Sequence, residues 1–333
     1  MLSLSCARSG TPVRLPAPSA APTLAIATWN MHAGRGDLAR LRYDLASGVL
    51  TGGVPADYVL LLQEDVEPLD SARGKPPENS ARDTAAANGL SFFFAPVRGD
   101  ERRMSGNAIL STRPLLDPRI VTLARERQPR SAVAATIRLD AATLFVVNVH
   151  MENRLAWWRA LFSDTARGKQ ATELLRDLPE QGDGILGGDL NTWLGPREPA
   201  WRLMLQRFPD TPRDPPQPTF HDRLVLDHLF FDLPDGWTVT RRVLKDAYES
   251  DHHPVVATIV AGPPSLGTGA RRDPPHVRSY VGRVPRGDSI HRLADPALST
   301  NQWLKRSDTA TAACRLRSMF AALPYIATSS ARR

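Results

Sequence analysis

Between residues 23 and 261 the chain is built from short apolar runs, and most of those runs end on a cluster of amides, carboxylates or imidazoles. Runs of roughly four to eight residues fit β-strands and are too short for amphipathic helices. Residues 24–29 (LAIATW) read as one strand, and residues 58–63 (YVLLLQ) as a second that is apolar on both faces. Residues 108–111, 132–138, 144–149, 185–188, 225–231 and 255–260 complete the predicted set. Helical spacing is visible around residues 38–50 and 168–178. Many strands with few helices predict two packed sheets with helices outside them.

The ends of the chain differ in kind. Residues 1–22 are rich in Pro, Ala and Ser (TPVRLPAPSAAPT) and read as a disordered lead-in. Residues 262–333 are rich in Pro, Gly and Arg and read as a flexible basic tail, with a short helix near residues 310–323 as its one candidate element. The formal net charge is +7, but the tail holds twelve Lys/Arg against four Asp/Glu, and the lead-in holds Arg8 and Arg14 with no acid. The remaining 23–261 segment has 28 Lys/Arg against 31 Asp/Glu and is slightly acidic. The basic balance therefore describes the ends and says little about what a site in the centre binds. Such a tail would favour nucleic acid or an anionic membrane surface, and these are the macromolecular partners expected for it.

No apolar run reaches the roughly 18 residues of a membrane span. The segment MLSLSCARSG lacks a basic region leading into a long apolar stretch, so a signal peptide is not expected. Cys6 and Cys314 lie in the two ends and make neither a disulfide framework nor a zinc site. A cytoplasmic monomer is the expectation, with secretion left open.

Six motifs end apolar strands, where an open sheet presents its functional groups. They are Thr28-Trp29-Asn30, Gln63-Glu64, Gly106-Asn107-Ala108-Ile109-Leu110-Ser111, Asn148-Val149-His150, Gly188-Asp189-Leu190-Asn191 and Ser250-Asp251-His252. A seventh, Leu226-Asp227-His228, falls within the strand predicted over 225–231. Glu64 would be a costly charge at the end of a buried strand, and a hard divalent cation offsets that cost. Asp189 and Asn191 are two apart, so on an extended segment they point the same way. They offer a carboxylate to orient or deprotonate water and an amide to hold a phosphate oxygen. Asp251 and His252 add an acid beside an imidazole, and His150 ends a strand. Cleavage of a phosphate ester needs charge neutralisation, an aligned water and support for the leaving oxygen, and this inventory covers all three. Any one motif alone is ordinarily a turn or a surface pair; the ordered set is what carries weight.

That ordered set, TWN, QE, GNAILS, NVH, GDLN, LDHLF and SDHHP, resembles the endonuclease/exonuclease/phosphatase superfamily over about residues 23–260. The superfamily includes pancreatic-type deoxyribonucleases, abasic-site endonucleases, neutral sphingomyelinases and inositol-polyphosphate phosphatases. The resemblance implies an α/β four-layer αββα sandwich: two mixed β-sheets face to face, helices outside. It implies a metal held by Asn30 and Glu64, with Asp251 near it, and Mg²⁺ or Mn²⁺ as the cation. Asp189 and Asn191 match the pair that positions the nucleophilic water and a phosphate oxygen. His252 matches the essential histidine, Asp227 the acid that orients it, His150 the second histidine, and Asn107 an amide that contacts phosphate. Abasic-site endonucleases of the family usually carry Lys after the QE and Tyr at the NVH histidine; here these are Asp65 and His150, so the similarity is to the deoxyribonuclease, sphingomyelinase and phosphatase branches.

The activity expected from this resemblance is metal-dependent hydrolysis of a phosphodiester by in-line attack of water. A phosphomonoesterase acting on a sugar or inositol phosphate is the alternative. A catalytically silent binding module would usually have lost one of these groups, and none is missing here. His32, His221, His228 and His253 are expected to be loop or packing residues. Arg102, Arg103 and Arg113 are expected at the solvated surface. Arg154, Trp157 and Trp158, just past His150, fit a substrate rim or a docked helix equally well.

Overall fold

The central strands form because their residues are apolar on both faces, and both faces are covered. β1 (Leu24–Asn30) is buried along its whole length in the computed structural model. That structure describes residues 23–68, 80–153, 160–180 and 182–262. Leu24 and Ile26 of β1 face the core between the two sheets, and Ala25, Ala27 and Trp29 face the helices on the other side. The chain divides into two compact units, residues 1–269 and 270–333, and every described residue belongs to the first.

One sheet has six strands in the order β10-β11-β1-β2-β4-β3. Its members besides β1 are β2 (Asp57–Pro68), β3 (Ser91–Gly99), β4 (Arg103–Ser111), β10 (Thr238–Val243) and β11 (Val255–Val260). The other has five strands in chain order: β5 (Leu116–Thr122), β6 (Ser131–Arg138), β7 (Thr143–His150), β8 (Gly184–Asp189) and β9 (Asp227–Asp232). Each sheet is mixed, with one parallel pair at its centre, β1 with β2 and β7 with β8. Leu61, Ile109, Val133, Val146, Ile185 and Leu229 interleave between the sheets.

The helices close the two outer faces. α1 (Leu38–Ala46) and α2 (Ala81–Asn88) cover the six-stranded sheet through Leu38, Leu41, Leu45, Ala81 and Ala85. α3 (Ala160–Asp177) and α4 (Pro199–Arg207) cover the five-stranded sheet through Ala171, Leu174, Trp201 and Met204. Gly168 lets α3 approach the start of α4: a Cβ there would stand 3.1 Å from the Pro199 side chain. The result is the four-layer αββα sandwich with two mixed sheets that the sequence predicts. No helix among the described residues is long and apolar enough to cross a membrane.

Three strands were not foreseen, β3, β5 and β10, and all three are sheet edges. β5 and β10 are half exposed and need no continuous apolar run; β5 carries Pro118 and four consecutive exposed residues. β3 does have such a run, residues 92–97, but Pro96 inside it argues against a strand. α2 was also missed. It is short and alanine-rich, and its ends carry it: the Ser80 side chain accepts from Asp83 N, and Gly89 closes it at φ 63°. α4 (PAWRLMLQR) is the other unforeseen helix, and α3 starts eight residues before the predicted 168. The predicted strand over 225–231 begins only at Asp227, so that aspartate starts β9 instead of lying inside it. The lead-in, the basic tail with its candidate helix, and Arg154, Trp157 and Trp158 lie outside the described residues.

Candidate active site

Strand register gathers the motifs at one end of the sandwich. In the parallel pair of the first sheet Asn30 stands opposite Gln63. In that of the second, His150 stands opposite Asp189, and Asp189 is also opposite Asp227 on β9. Two sheets meeting face to face therefore bring these strand ends together.

Buried amides fix the sheets to each other directly beneath. Gln63 Nε2 donates to Asn148 Oδ1 at 2.6 Å and to Thr28 Oγ1 at 3.0 Å. Asn148 Nδ2 donates in turn to the carbonyls of Leu62, 2.7 Å, and Ala108, 2.8 Å. The Gln of QE and the Asn of NVH are thus bolts between β2 and β7, a role that motif spacing does not reveal. Replacing Asn148 by Leu leaves three buried partners short of a hydrogen bond. The expected cost is about 2–4 kcal/mol, read as a lowered urea midpoint.

Past Gln63 the chain turns. The pairing of β2 with β4 shifts between Leu62 and Asp65, and Glu64 takes φ 54°. Its carboxylate accepts from Ala33 N at 3.0 Å and faces a cleft. Asn30 Oδ1 accepts from His32 N at 3.0 Å, and its Nδ2 donates to Asp189 Oδ2 at 3.1 Å. Ser250 Oγ donates to the Asn30 carbonyl at 2.7 Å and accepts from His252 N at 3.1 Å. Trp29 Nε1 donates to the His252 carbonyl at 3.0 Å. The TWN and SDH motifs are therefore laced together through backbone.

Gly188 delivers Asp189. At φ 153° it lies against β7 so closely that a Cβ would run into the Val149 carbonyl. The extended geometry expected for Asp189 and Asn191 is not what forms. β8 ends at Asp189, Asn191 adopts φ 51°, and its N–H folds back onto Asp189 Oδ1 at 2.9 Å. The Asn191 amide donates to the Met151 carbonyl at 3.2 Å, so its first service is to hold the turn. Asn107 likewise donates to the Ser131 carbonyl at 2.8 Å, while its side chain lines the cleft.

The centre is an acid–imidazole group. Ligating atoms of Asp189, Asp227 and His252 all lie within 4.8 Å of one another. His252 Nδ1 donates to Asp227 Oδ2 at 2.7 Å, and His150 Nε2 stands 3.4 Å from Asp189 Oδ2. Burial opposes charge on His252, but the attraction and hydrogen bond of Asp227, with the charges of Asp189 and Asp251, outweigh it and raise its pKa to about 10. Burial, then the charge of Asp227, pushes the Asp189 carboxyl up to about 7 against the pull of His252, Asn191 and Asn30. Burial, then the positive charges of Arg130, His252 and Arg98, holds His150 well below the usual histidine range, so it is a neutral imidazole.

Beside this centre lies a cleft of about 130 Å³, walled by Glu64, Arg98, Asn107, Gln128, Arg130 and His150. Arg130 is its strongest feature: its Nε is buried and has no hydrogen-bond partner among the described residues. Neither Arg98 nor Arg130 stands out in the sequence; the arginines weighed near GNAILS point elsewhere. Arg113 is tied to Asp57 at 2.8 Å and Asp140 at 3.0 Å, and Arg103 is exposed beside Asp100.

The histidines set aside behave as packing or rim groups. His228 bonds Thr192 Oγ1 at 2.8 Å and meets Trp201 edge-on at 4.3 Å. His253 turns to Asp222, 3.2 Å away. His32 stands 3.4 Å from Asp251, which places that acid at the rim, part exposed.

Asn30, Glu64 and Asp251 are all oxygen donors, a set suited to a hard divalent cation. Glu64 lines the cleft, and backbone N–H groups orient one of its carboxylate oxygens and the Asn30 amide oxygen. Asp189, Asp227 and His252 are less suited to chelation, because the His252 Nδ1 is committed to Asp227. Their geometry is that of an oriented imidazolium beside a buried carboxylate.

A model of the Endonuclease/Exonuclease/phosphatase family matches residues 27–252. Among solved structures, an endonuclease/exonuclease/phosphatase from Beutenbergia cavernae superposes with a TM-score of 0.56 at 19% identity, over 73% of each chain. An endonuclease/exonuclease/phosphatase family protein from Leptotrichia buccalis gives a TM-score of 0.53 at 17% identity, over 72% of this chain and 100% of its own. Both likenesses are of fold. No curated protein matches this sequence significantly.

Proposed function

The chain belongs to the endonuclease/exonuclease/phosphatase family, whose members are generally hydrolases of phosphoesters, and from that premise we propose that it is a metal-dependent phosphodiesterase. The observation that carries this reading is the 2.7 Å Asp227–His252 bond set beside Asp189, with His150 on the flank of that carboxylate. Each group suits one part of an in-line displacement. Asp189, with a pKa near 7, is poised to align a water and take its proton at neutral pH. His252 stays protonated and presents a fixed positive charge to the phosphoryl oxygens. Neutral His150 supports the leaving oxygen. Arg130 and Arg98 hold phosphate oxygens from the cleft side, where a guanidinium offers a planar fork of donors.

Asn30 and Glu64, with Asp251 near them, would hold Mg²⁺ or Mn²⁺. When bound, such an ion supplies charge neutralisation at a phosphate oxygen. A diester, of nucleic-acid or phospholipid type, is the proposed substrate class, with a terminal phosphate as the alternative.

Hydrolysis of bis-p-nitrophenyl phosphate should appear with Mg²⁺ or Mn²⁺, stop with EDTA, and return on adding metal. The Asp189→Ala protein is the blank. Plasmid DNA, RNA, sphingomyelin and inositol phosphates, assayed in parallel, sort the substrate class. A wild-type rate no higher than the blank on all of these substrates, with either metal, would overturn the assignment.

A further inference from the structure

Glu152 lies two residues past His150 and is fully buried, though nothing in the proposed chemistry uses it. A buried carboxylate is costly unless its oxygens are satisfied. One of them, Oε2, accepts from two successive backbone groups, Arg127 N and Gln128 N, each at 3.0 Å. Those residues belong to the segment that leaves β5, passes through Gln128 and Arg130 on the cleft wall, and enters β6.

Oε1 is buried with no hydrogen-bond partner among the described residues, and it is the backbone of Glu152 that is anchored on the other side. Its N–H donates to Gln170 Oε1 at 2.8 Å, and Gln170 Nε2 donates to the Ala124 carbonyl at 2.9 Å. Arg167 Nη1 donates to the Glu152 carbonyl at 3.3 Å, and Arg167 is itself clamped by Glu198 at 2.6 and 2.7 Å. Both members of that ion pair are fully buried. A rigid frame of α3 and the start of α4 thus grips the backbone of Glu152, and its carboxylate, through Oε2, grips the loop that carries Arg130. The same negative charge acts on Arg130, whose guanidinium is otherwise disfavoured by burial.

We infer that Glu152 is a positioning residue, which holds the 127–130 segment against the α3 frame so that Arg130 stands in the cleft opposite Glu64. Its consequence for turnover rests on the phosphodiesterase reading; its consequence for the loop does not. Glu152 touches no reacting atom and acts through Arg130.

Two measurements test this, on full-length wild type, Glu152→Gln, Glu152→Ala, Arg130→Ala and the Glu152→Gln/Arg130→Ala double variant. Glu152→Gln keeps size and one acceptor oxygen, so it should fold where Glu152→Ala is weaker. Amide hydrogen exchange should lose protection at Arg127 and Gln128 in both Glu152 variants, by tenfold or more in Glu152→Ala, with β7 unchanged. In steady-state hydrolysis of bis-p-nitrophenyl phosphate, Glu152→Gln should raise KM about tenfold and change kcat far less. That penalty should vanish when Arg130 is already Ala. Unchanged exchange at 127 and 128 would overturn the inference, as would a full Glu152→Gln penalty in the Arg130→Ala background. Absence of any wild-type hydrolysis would instead defeat the phosphodiesterase reading, while the exchange result would still decide the loop's anchoring.

Discussion

His252→Ala is expected to lower kcat on a phosphodiester about a thousandfold while KM changes little, because in the proposed displacement the imidazolium acts on charge that develops in the transition state. The more informative companion is Asp227→Asn. It keeps a group within hydrogen-bonding distance of His252 Nδ1 but removes the charge that does most to raise the histidine's pKa to about 10. In the wild type, activity should hold on the alkaline side until pH approaches 10. In Asp227→Asn, burial is no longer outweighed, and the alkaline limb should move down to neutral pH or below. The stability of the pair has the same sign. The folded pKa lies above the unfolded value of about 6.5, so the contribution is full below pH 6.5 and is lost as pH rises toward 10. pH–rate profiles of the two proteins check this directly. Superimposable alkaline limbs would mean that Asp227 does not control the histidine.

The parts of this molecule that can be read from residues alone are those where one residue type carries its own reason. β1, β2, β7 and β8 are covered on both faces, and their apolar runs announce them. The motif residues are visible because a carboxylate or amide at the end of such a run needs an explanation. The half-exposed edges β5 and β10 carry no such run, and in β3 the run over residues 92–97 is broken by Pro96; β9, an edge that is buried, is announced by its run. For Asn191 the sequence points to the place and not to the geometry: its spacing from Asp189 suggests an extended pair, but the positive φ that folds its N–H back depends on the turn after β8. Arg130 was not legible at all. It sits after a proline in a polar loop, like many arginines, and only the packing of that loop onto α3 through Glu152 gives it a cleft to face. Gln63 and Asn148 belong to recognised motifs, yet their service to each other crosses 85 residues and two sheets.

Asp189→Asn should abolish turnover by at least three orders of magnitude and, in metal-free protein, make the fold more stable. Both effects follow from the same burial. The Asp189 carboxyl has a folded pKa of about 7 against an ordinary 3.8. Between those values the unfolded chain ionises while the folded one holds its proton, so stability falls as pH rises from about 4 to 7 and then levels off. A shift of about three units corresponds to roughly 4 kcal/mol as an upper bound. Asparagine escapes that penalty. It keeps an oxygen for Asn191 N, but its amide must face the Asn30 amide, which has to turn over to meet it. A net gain on the order of 1–3 kcal/mol is expected, several degrees in Tm. The gain should be absent near pH 4, grow through pH 6 and reach its plateau above pH 7. Thermal melts of both proteins in EDTA across that range measure it. A variant that lost activity and also melted lower at pH 8 would show that the ionised carboxylate stabilises the fold, and would overturn the raised pKa. A variant that is inactive and more stable separates catalysis from folding, because lost structure could not then account for the lost rate.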